Sequence, residues 1–330
     1  MFPNSLRWLA LGAAVFALAA GCKKQEAPAA KPAAAEAKPA ETKPAEAVAA
    51  PAAASAVAAP AAASVADGDG DPNQNAWNLQ ANTAPVKADD RVFVLTQGAH
   101  RAYDDANKPY RLFAHDVGEV KGGLVVIKEL TGGTFKTSGL FVIPAGSTAA
   151  ELKVGDMVLA EWASELKHGV VQKIDGEKIT VRYTDLPDNW KDDLLVKVLS
   201  PREVTRQKEG LQPGNFAFAK GTQGKDELVL LVGQSGDNWI TRQFSQRVRM
   251  VAVSDLRAIP LKPALKPGQL VEVPWIGQVY TGKVAKVSGT RVEVKVDGIQ
   301  KNDAVIASLG QVAPVEPKKA EKPADKPAEK

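Results

Sequence analysis

Cysteine is almost absent from this sequence, because Cys22 is the only one among 330 residues. Residues 23–330 therefore contain no disulfide, no thiolate metal site and no cysteine nucleophile. Histidine is nearly as rare, with three residues. The sequence also lacks a glycine-rich phosphate loop, a nucleophile elbow and an HExxH motif. We therefore predict that the protein is not an enzyme and that it uses no cofactor.

The few candidate metal ligands match no ligand pattern. His100 and His115 have acidic neighbours in the sequence, but their spacing fits no tight metal-binding motif, and we expect both to be solvated. Residues 67–71 alternate aspartate and glycine as a calcium loop does. Pro72 and Asn78, however, occupy the positions where an EF-hand needs glycine and glutamate. We predict no metal site and interpret residues 67–71 as an acidic hinge.

The N-terminus has the organisation of an export signal. Arg7 carries the one positive side-chain charge of the first stretch, residues 8–21 are uncharged, and the run ends on Leu18-Ala19-Ala20-Gly21-Cys22. Such a run is shorter than the about 20 apolar residues that span a bilayer, which favours a removed signal over a membrane helix. A cut after Ala19, which would leave Cys22 as a free thiol, is the alternative.

This arrangement around Cys22 resembles the lipobox of bacterial lipoproteins. The resemblance implies that residues 1–21 are removed and that the Cys22 thiol carries diacylglycerol. It also implies three acyl chains on the mature N-terminus, and two or more chains anchor a protein stably where one does so only marginally. Lys23, in place of an aspartate, implies the outer membrane. The expected location is the cell envelope, where intracellular nucleic acid is not a partner.

Residues 22–84 and 315–330 flank the predicted body and are rich in Ala, Pro, Lys and Glu. Residues 23–66 contain no aromatic residue and bury too little surface to offset the ordering entropy, and their prolines interrupt helices. We predict that residues 22–84 form a disordered tether and residues 315–330 a disordered tail. At about 3 Å per residue, the tether would hold the body on the order of 100 Å from the membrane.

A glycine-containing pattern repeats between the tether and the tail. The segment Leu152-Lys153-Val154-Gly155-Asp156-Met157-Val158 is followed by related segments that begin at Leu211 and Leu265. Each has a glycine turn and then a strand of alternating apolar residues, and no stretch keeps a 3.6-residue apolar period. We therefore predict an all-β fold of tandem small barrels. The predicted modules are 85–148 (the most diverged), 149–210, 211–263 and 264–314.

Within the modules, pairs of apolar runs that flank a glycine turn predict β-hairpins. The clearest pairs are Val170–Ile174 with Ile179–Tyr183, and Val284–Val287 with Val292–Val296. In the first module, the polar insert Gly98–Pro109 is predicted to be a loop. A domain of about 55 residues buries only about 60% of its chain surface, so packing between neighbouring modules would add stability.

The second module carries a pattern that resembles a Tudor domain, a five-stranded SH3-like barrel. The pattern consists of Lys153-Val154-Gly155-Asp156, Trp162, Lys173-Ile174-Asp175-Gly176, Val181-Arg182-Tyr183-Thr184-Asp185 and Leu199-Ser200-Pro201. The resemblance places Trp162 and Tyr183 on two walls of an aromatic cage for a methylated cation. The other two walls fall near His168 and at Leu186, which do not complete a cage. The alternative is that Trp162 and Tyr183 cover the mouth of the barrel.

A cationic group is the ligand that the second module predicts. Asp185 adds negative charge beside Tyr183, so a lysine, arginine or amino sugar of a partner could stack on Trp162 and pair with the carboxylate. In the fourth module, Trp275 stands at the same offset from the module's glycine as Trp162 does. We therefore predict Trp162, Tyr183, Asp185 and Trp275 as ligand-binding residues.

The positive charge of the third module indicates a second kind of candidate surface, one that is basic. Arg247 and Arg249 alternate with apolar residues and share one strand face, which is typical either of a solvated face or of a site for an anionic polymer. The leading prediction is a membrane-anchored, non-enzymatic lipoprotein that presents tandem SH3/Tudor-like modules to an envelope protein or to an anionic or cell-wall polymer. The alternative is a peptidoglycan- or carbohydrate-binding protein of the cell envelope.

Overall fold

A computed structural model describes residues 86–97, 109–121, 124–129, 132–187, 190–221, 224–296, 298 and 304–315. The chain divides into the units Met1–Pro60 and Ala61–Lys330, and all described residues belong to the second unit. Cys22, the predicted tether through residue 84, the insert at 98–108 and residues 316–330 of the predicted tail lie outside the described residues.

Ten strands form the first and second barrels. The first barrel consists of β1 (Arg91–Thr96), β2 (Arg111–Lys121), β3 (Leu124–Lys128), β4 (Thr134–Ser138) and β5 (Val142–Pro144). The second consists of β6 (Met157–Trp162), β7 (Glu165–Asp175), β8 (Lys178–Tyr183), β9 (Val196–Leu199) and β10 (Val204–Arg206). A single helical turn, α1 (Asp192–Leu195), precedes β9.

Ten further strands form the third and fourth barrels. The third barrel consists of β11 (Phe216–Lys220), β12 (Asp226–Ser235), β13 (Asn238–Gln243), β14 (Val248–Ala252) and β15 (Leu256–Ala258). The fourth consists of β16 (Leu270–Trp275), β17 (Gln278–Ser288), β18 (Arg291–Val296), β19 (Val305–Ser308) and β20 (Ala313–Pro314). No helix in the described part of the chain is long and apolar enough to cross a membrane.

All four barrels have the same antiparallel topology. The first strand pairs with the second and the fifth, the second with the third, and the third with the fourth. A 3-10 turn connects the fourth strand to the fifth in each barrel, at Gly139–Phe141, Pro201–Glu203, Val253–Asp255 and Leu309–Gln311. The pairing of each second strand with the third is interrupted by a bulge at the same place in the barrel. The described residues therefore form tandem SH3/Tudor-like barrels, as predicted.

The barrels join in pairs to form two ten-stranded sheets. Phe113 of β2 pairs with Glu165 of β7, which joins the first barrel to the second. Glu227 of β12 pairs with Gln278 of β17, which joins the third barrel to the fourth in the same way. The four barrels are thus arranged as two equivalent pairs.

A shared core lies between the barrels, in addition to the small core inside each one. Strand β1 contributes side chains to both kinds of core, because alternate side chains of a strand point to opposite faces of the sheet. Val92 and Val94 face the interior of the first barrel, and Phe93 and Leu95 face the shared core. The shared core also contains side chains of the second and third barrels, namely Leu159, Leu166, Leu230, Val232 and Ile240. Packing between modules thus buries the outer faces of their strands.

Gly233 allows a close approach between the first and third barrels. A Cβ atom at this position would lie 2.2 Å from the carbonyl oxygen of Leu140. Because no side chain tolerates such a distance from a backbone atom, only glycine lets β12 pack against the 3-10 turn of the first barrel. Contacts between the second and fourth barrels complete the body, since Ser308 donates from its hydroxyl to the carbonyl oxygen of Thr184 at 2.6 Å.

Candidate functional site

Trp162 lies at the end of β6 and is half-buried against the core of the second barrel. Its indole Nε1 donates a hydrogen bond to the carbonyl oxygen of Leu194 at 3.1 Å. The ring centroids of Trp162 and Trp190 are 5.6 Å apart, at an interplanar angle of 39°. Rings at this separation are in direct contact, so a cation cannot lie between them. Trp190 is 36% exposed, so a ligand could contact the outer face of the pair.

Tyr183 and Asp185 are engaged by other protein groups. Tyr183 is buried and donates a hydrogen bond to the carbonyl oxygen of Glu161, and burial raises the pKa of its phenol. Asp185 Oδ2 lies 3.0 Å from His168 Nδ1 and also accepts from the backbone N–H of His168. The His168 ring stacks on Phe216 of the third barrel at a centroid distance of 4.4 Å. Asp185 therefore orients a side chain that joins two barrels.

The junction of the third and fourth barrels brings together exposed aromatic and apolar side chains. The ring of Trp275 packs edge-on against Tyr280 at 5.9 Å, and Lys225 Nζ lies 5.4 Å from the centroid of the Tyr280 ring. Phe244 is 66% and Ile276 68% exposed, and both line a cavity of about 210 Å³ that Lys225 also lines. We call Lys225, Phe244, Trp275, Ile276 and Tyr280 the third–fourth surface.

Ile276 has an unusual backbone conformation for its residue type. It follows Trp275 and, with Gly277, forms the two-residue turn between β16 and β17, at φ values of 48° and 79°. Two positive φ values identify a type I′ hairpin turn, which favours Asn-Gly. Positive φ is costly for a β-branched residue. Ile276 is therefore both strained and exposed, a combination that is typical of functional positions.

Of the residues in the third–fourth surface, only Trp275 was predicted from the sequence. Strand β13 ends at Gln243, and Phe244 lies in the following turn. An apolar residue in a turn is the sequence signal that identifies both Phe244 and Ile276. The ligand-binding role of Trp162, Tyr183, Asp185 and Trp275 stays a prediction.

The basic residues of the third barrel are largely paired with carboxylates. Arg249 contacts Glu227, and Lys220 Nζ lies 2.7 Å from Asp255 Oδ1. Arg257 likewise pairs with two carboxylates, one on its own barrel and one on the fourth. These ion pairs neutralise much of the positive charge that the sequence predicted for the strand face that carries Arg249.

His115 corrects one expectation from the sequence. We expected this residue to be solvated, but it lies in the middle of β2 and is 1% exposed. The reason is that its ring packs edge-on against Phe135 of β4 at a centroid distance of 5.7 Å, so side chains of the first barrel cover it. Among the described residues, no group of three or more histidine, cysteine, aspartate or glutamate side chains is placed to hold a metal ion.

Comparisons with protein-family models and with curated protein sequences gave no match. Among solved structures, the chain is similar to AGD34 of AGDP1 from Arabidopsis thaliana, at 14% identity and a TM-score of 0.21, over 38% of this chain and 83% of that chain. It is also similar to the four MBT repeats of Sfmbt from Drosophila melanogaster, solved in complex with a methyl-lysine peptide. That alignment has 9% identity and a TM-score of 0.16, over 70% of this chain and 88% of that chain. The fold follows from the strand order and register described above.

Proposed function

We propose that this protein is a non-enzymatic binding protein that is lipid-anchored in the cell envelope and binds a partner protein through the third–fourth surface. The observation that supports this most is the exposure of Phe244 and Ile276 beside the Trp275–Tyr280 pair. Grouped apolar side chains on a protein surface are typical of interaction sites. Aromatic residues in such groups carry much of the binding energy.

The chemistry of this surface favours a protein partner with an apolar side chain. The cavity beside Phe244 and Ile276 would take that side chain, and the exposed face of Trp275 would take a second one. Lys225 and Glu227 line the same cavity and would position polar groups of the partner backbone. Peptidoglycan or another carbohydrate is the second candidate, since Trp275 is 37% exposed and could stack on a sugar ring.

The binding surface is tested by Ile276→Asn, because this change separates folding from binding. Asparagine adopts positive φ more readily than isoleucine, so we expect the variant to be more stable by about 1 kcal/mol. Binding should weaken because the exposed apolar side chain is lost. The measurements are thermal unfolding of the purified full chain and retention of cross-linked envelope proteins on it.

Ala163→Asn is the matched control for Ile276→Asn. Ala163 occupies the same position of the corresponding turn in the second barrel, at φ 48°. This control should gain stability without losing partner retention. If Ile276→Asn retains the same proteins as the unaltered chain, the third–fourth surface is not the binding site. Retention on purified peptidoglycan that Trp275→Ala abolishes would favour the carbohydrate alternative.

The anchor is tested separately by Cys22→Ser. This change removes the thiol that would carry diacylglycerol, so we expect the chain to move from the membrane fraction to the soluble fraction. Circular dichroism should be unchanged, because Cys22 lies outside the predicted body. Equal membrane retention of the variant after washing with salt and carbonate would refute the anchor and leave the binding proposal standing.

A further inference from the structure

A second cavity lies where the first, second and third barrels meet. Its volume is about 210 Å³, and its polar lining consists of Arg111, Glu165, Lys167, Arg242 and Gln246. Arg111 comes from β2, Glu165 and Lys167 from β7, and Arg242 from β13. The lining thus contains three cationic side chains and one carboxylate, which leaves a net charge of +2. The Arg111 side chain is 53% exposed, so solvent reaches the cavity.

Two of the three cations are held by the carboxylate. Arg111 Nη1 lies 2.9 Å from Glu165 Oε1, and Lys167 Nζ lies 3.0 Å from Glu165 Oε2. Burial acts to raise the pKa of Glu165, but the hydrogen bonds and charges of Lys167 and Arg111 outweigh it, and the pKa is lowered. Glu165 therefore stays ionised near neutral pH and keeps both cations at the edge of the cavity.

The third cation has no such partner. Arg242 Nε and Gln246 Oε1 are buried, and neither has a hydrogen-bond partner within the part of the chain that the structure describes. Burial lowers the pKa of Arg242, while the charges of Asp185 and Glu165 act in the opposite direction. A buried N–H group that has no hydrogen-bond partner is costly for a fold to retain. The Gln246 amide can rotate to present its NH₂ donors toward the same space.

We propose that this cavity binds a phosphate group, with Arg242, Arg111 and Lys167 as its cationic ligands. The net charge of the lining complements a phosphate dianion. The planar guanidinium of arginine matches two phosphate oxygens at once. The group would come either from inorganic phosphate or from a phosphate monoester, and the cavity is large enough to admit part of an ester. This site is separate from the third–fourth surface.

The test is isothermal titration of the full chain with inorganic phosphate and, separately, with phenyl phosphate, at constant ionic strength set with sodium chloride. We expect binding of phosphate and a melting temperature that rises with phosphate concentration. Tighter binding of phenyl phosphate would indicate an ester as the source, and equal or weaker binding would indicate free phosphate. A response that chloride reproduces at the same ionic strength would overturn the proposal.

Two substitutions should change phosphate affinity in opposite directions, which a folding defect does not do. Arg242→Gln should weaken binding about tenfold or more, because it removes a hydrogen bond to a charged group. Glu165→Gln should strengthen binding, because it removes the carboxylate that repels phosphate and occupies Arg111 and Lys167. Arg247→Gln, an exposed arginine five residues after Arg242, is the matched control and should leave the affinity unchanged. Equal affinities of all three variants would refute the site.

Discussion

His115 couples the stability of the first barrel to pH through a single buried side chain. Its Nδ1 lies 3.4 Å from the carbonyl oxygen of Lys128, and its ring packs edge-on against Phe135 at 5.7 Å. Its Nε2 is buried without a hydrogen-bond partner among the described residues. Protonation would place a charge and a second N–H in this environment. Burial therefore lowers the pKa of His115 below its ordinary 6.5.

The lowered pKa of His115 predicts how the free energy of unfolding changes with pH. The unfolded chain takes up a proton at His115 near pH 6.5, whereas the folded chain does so only at lower pH. The contribution of His115 is thus fully present above pH 6.5 and is lost as the pH falls through the folded pKa. We expect the free energy of unfolding to decrease from about pH 7 to about pH 5, and less steeply in His115→Phe.

Denaturant unfolding at several pH values measures this dependence for both chains. Glu165, whose pKa is also lowered from 4.5, contributes only at more acidic pH, so the two effects separate. Parallel pH profiles for His115→Phe and the unaltered chain would show that His115 does not carry the dependence.

The individual site residues were predictable only where a repeat offset or a motif marked them. Trp275 was identified because it occupies the position that Trp162 has in the second module. The partners of Asp185 were not predictable, since His168 is 17 residues away and stacks on Phe216 of another barrel. No motif or repeat offset in the sequence marked Arg242 as a site residue. Its importance depends on which charges surround it, and those charges come from three barrels.

Strands in which apolar residues alternate between two glycine turns were predicted well. The predicted runs Ile179–Tyr183 and Val292–Val296 differ from β8 and β18 by one residue each. In these strands the apolar side chains face a barrel interior, so burial follows the sequence pattern directly. The all-β fold class follows from the same patterns and is confirmed.

Strand β2 could not be predicted from the pattern of apolar residues in the sequence. The sequence patterns predicted no strand at its residues Arg111–Lys121, and His115 within it was expected to be solvated. In the structure β2 is one of the two central strands of its sheet, with β7, and it pairs with β1, β3 and β7. Its order comes from pairing with strands on both sides, and such pairing depends on distant parts of the chain.

At the scale of the whole molecule, the shared core makes the barrels interdependent. Leu230, Val232 and Ile240 of the third barrel pack with Phe93 and Leu95 of the first. A chain cut between the second and third barrels would expose these side chains on both fragments. At about 1.5–3 kcal/mol for each fully buried side chain, the three residues of the third barrel alone account for about 5–9 kcal/mol. That is comparable with the whole stability of a typical domain.

We therefore predict that fragments 22–210 and 211–330 are each unstable alone and that mixing them restores the native β-rich state. The full chain should unfold in one cooperative transition, because loss of any barrel exposes the shared core. Circular dichroism and denaturant unfolding of the fragments, separate and mixed, measure this.

Val229→Ala and Val232→Ala provide a matched pair on β12, since Val229 faces the third barrel's own core and Val232 the shared core. Only Val232→Ala should weaken association of the two fragments. Fragments that each unfold as stably as the full chain would show that the barrels are independent domains joined in series.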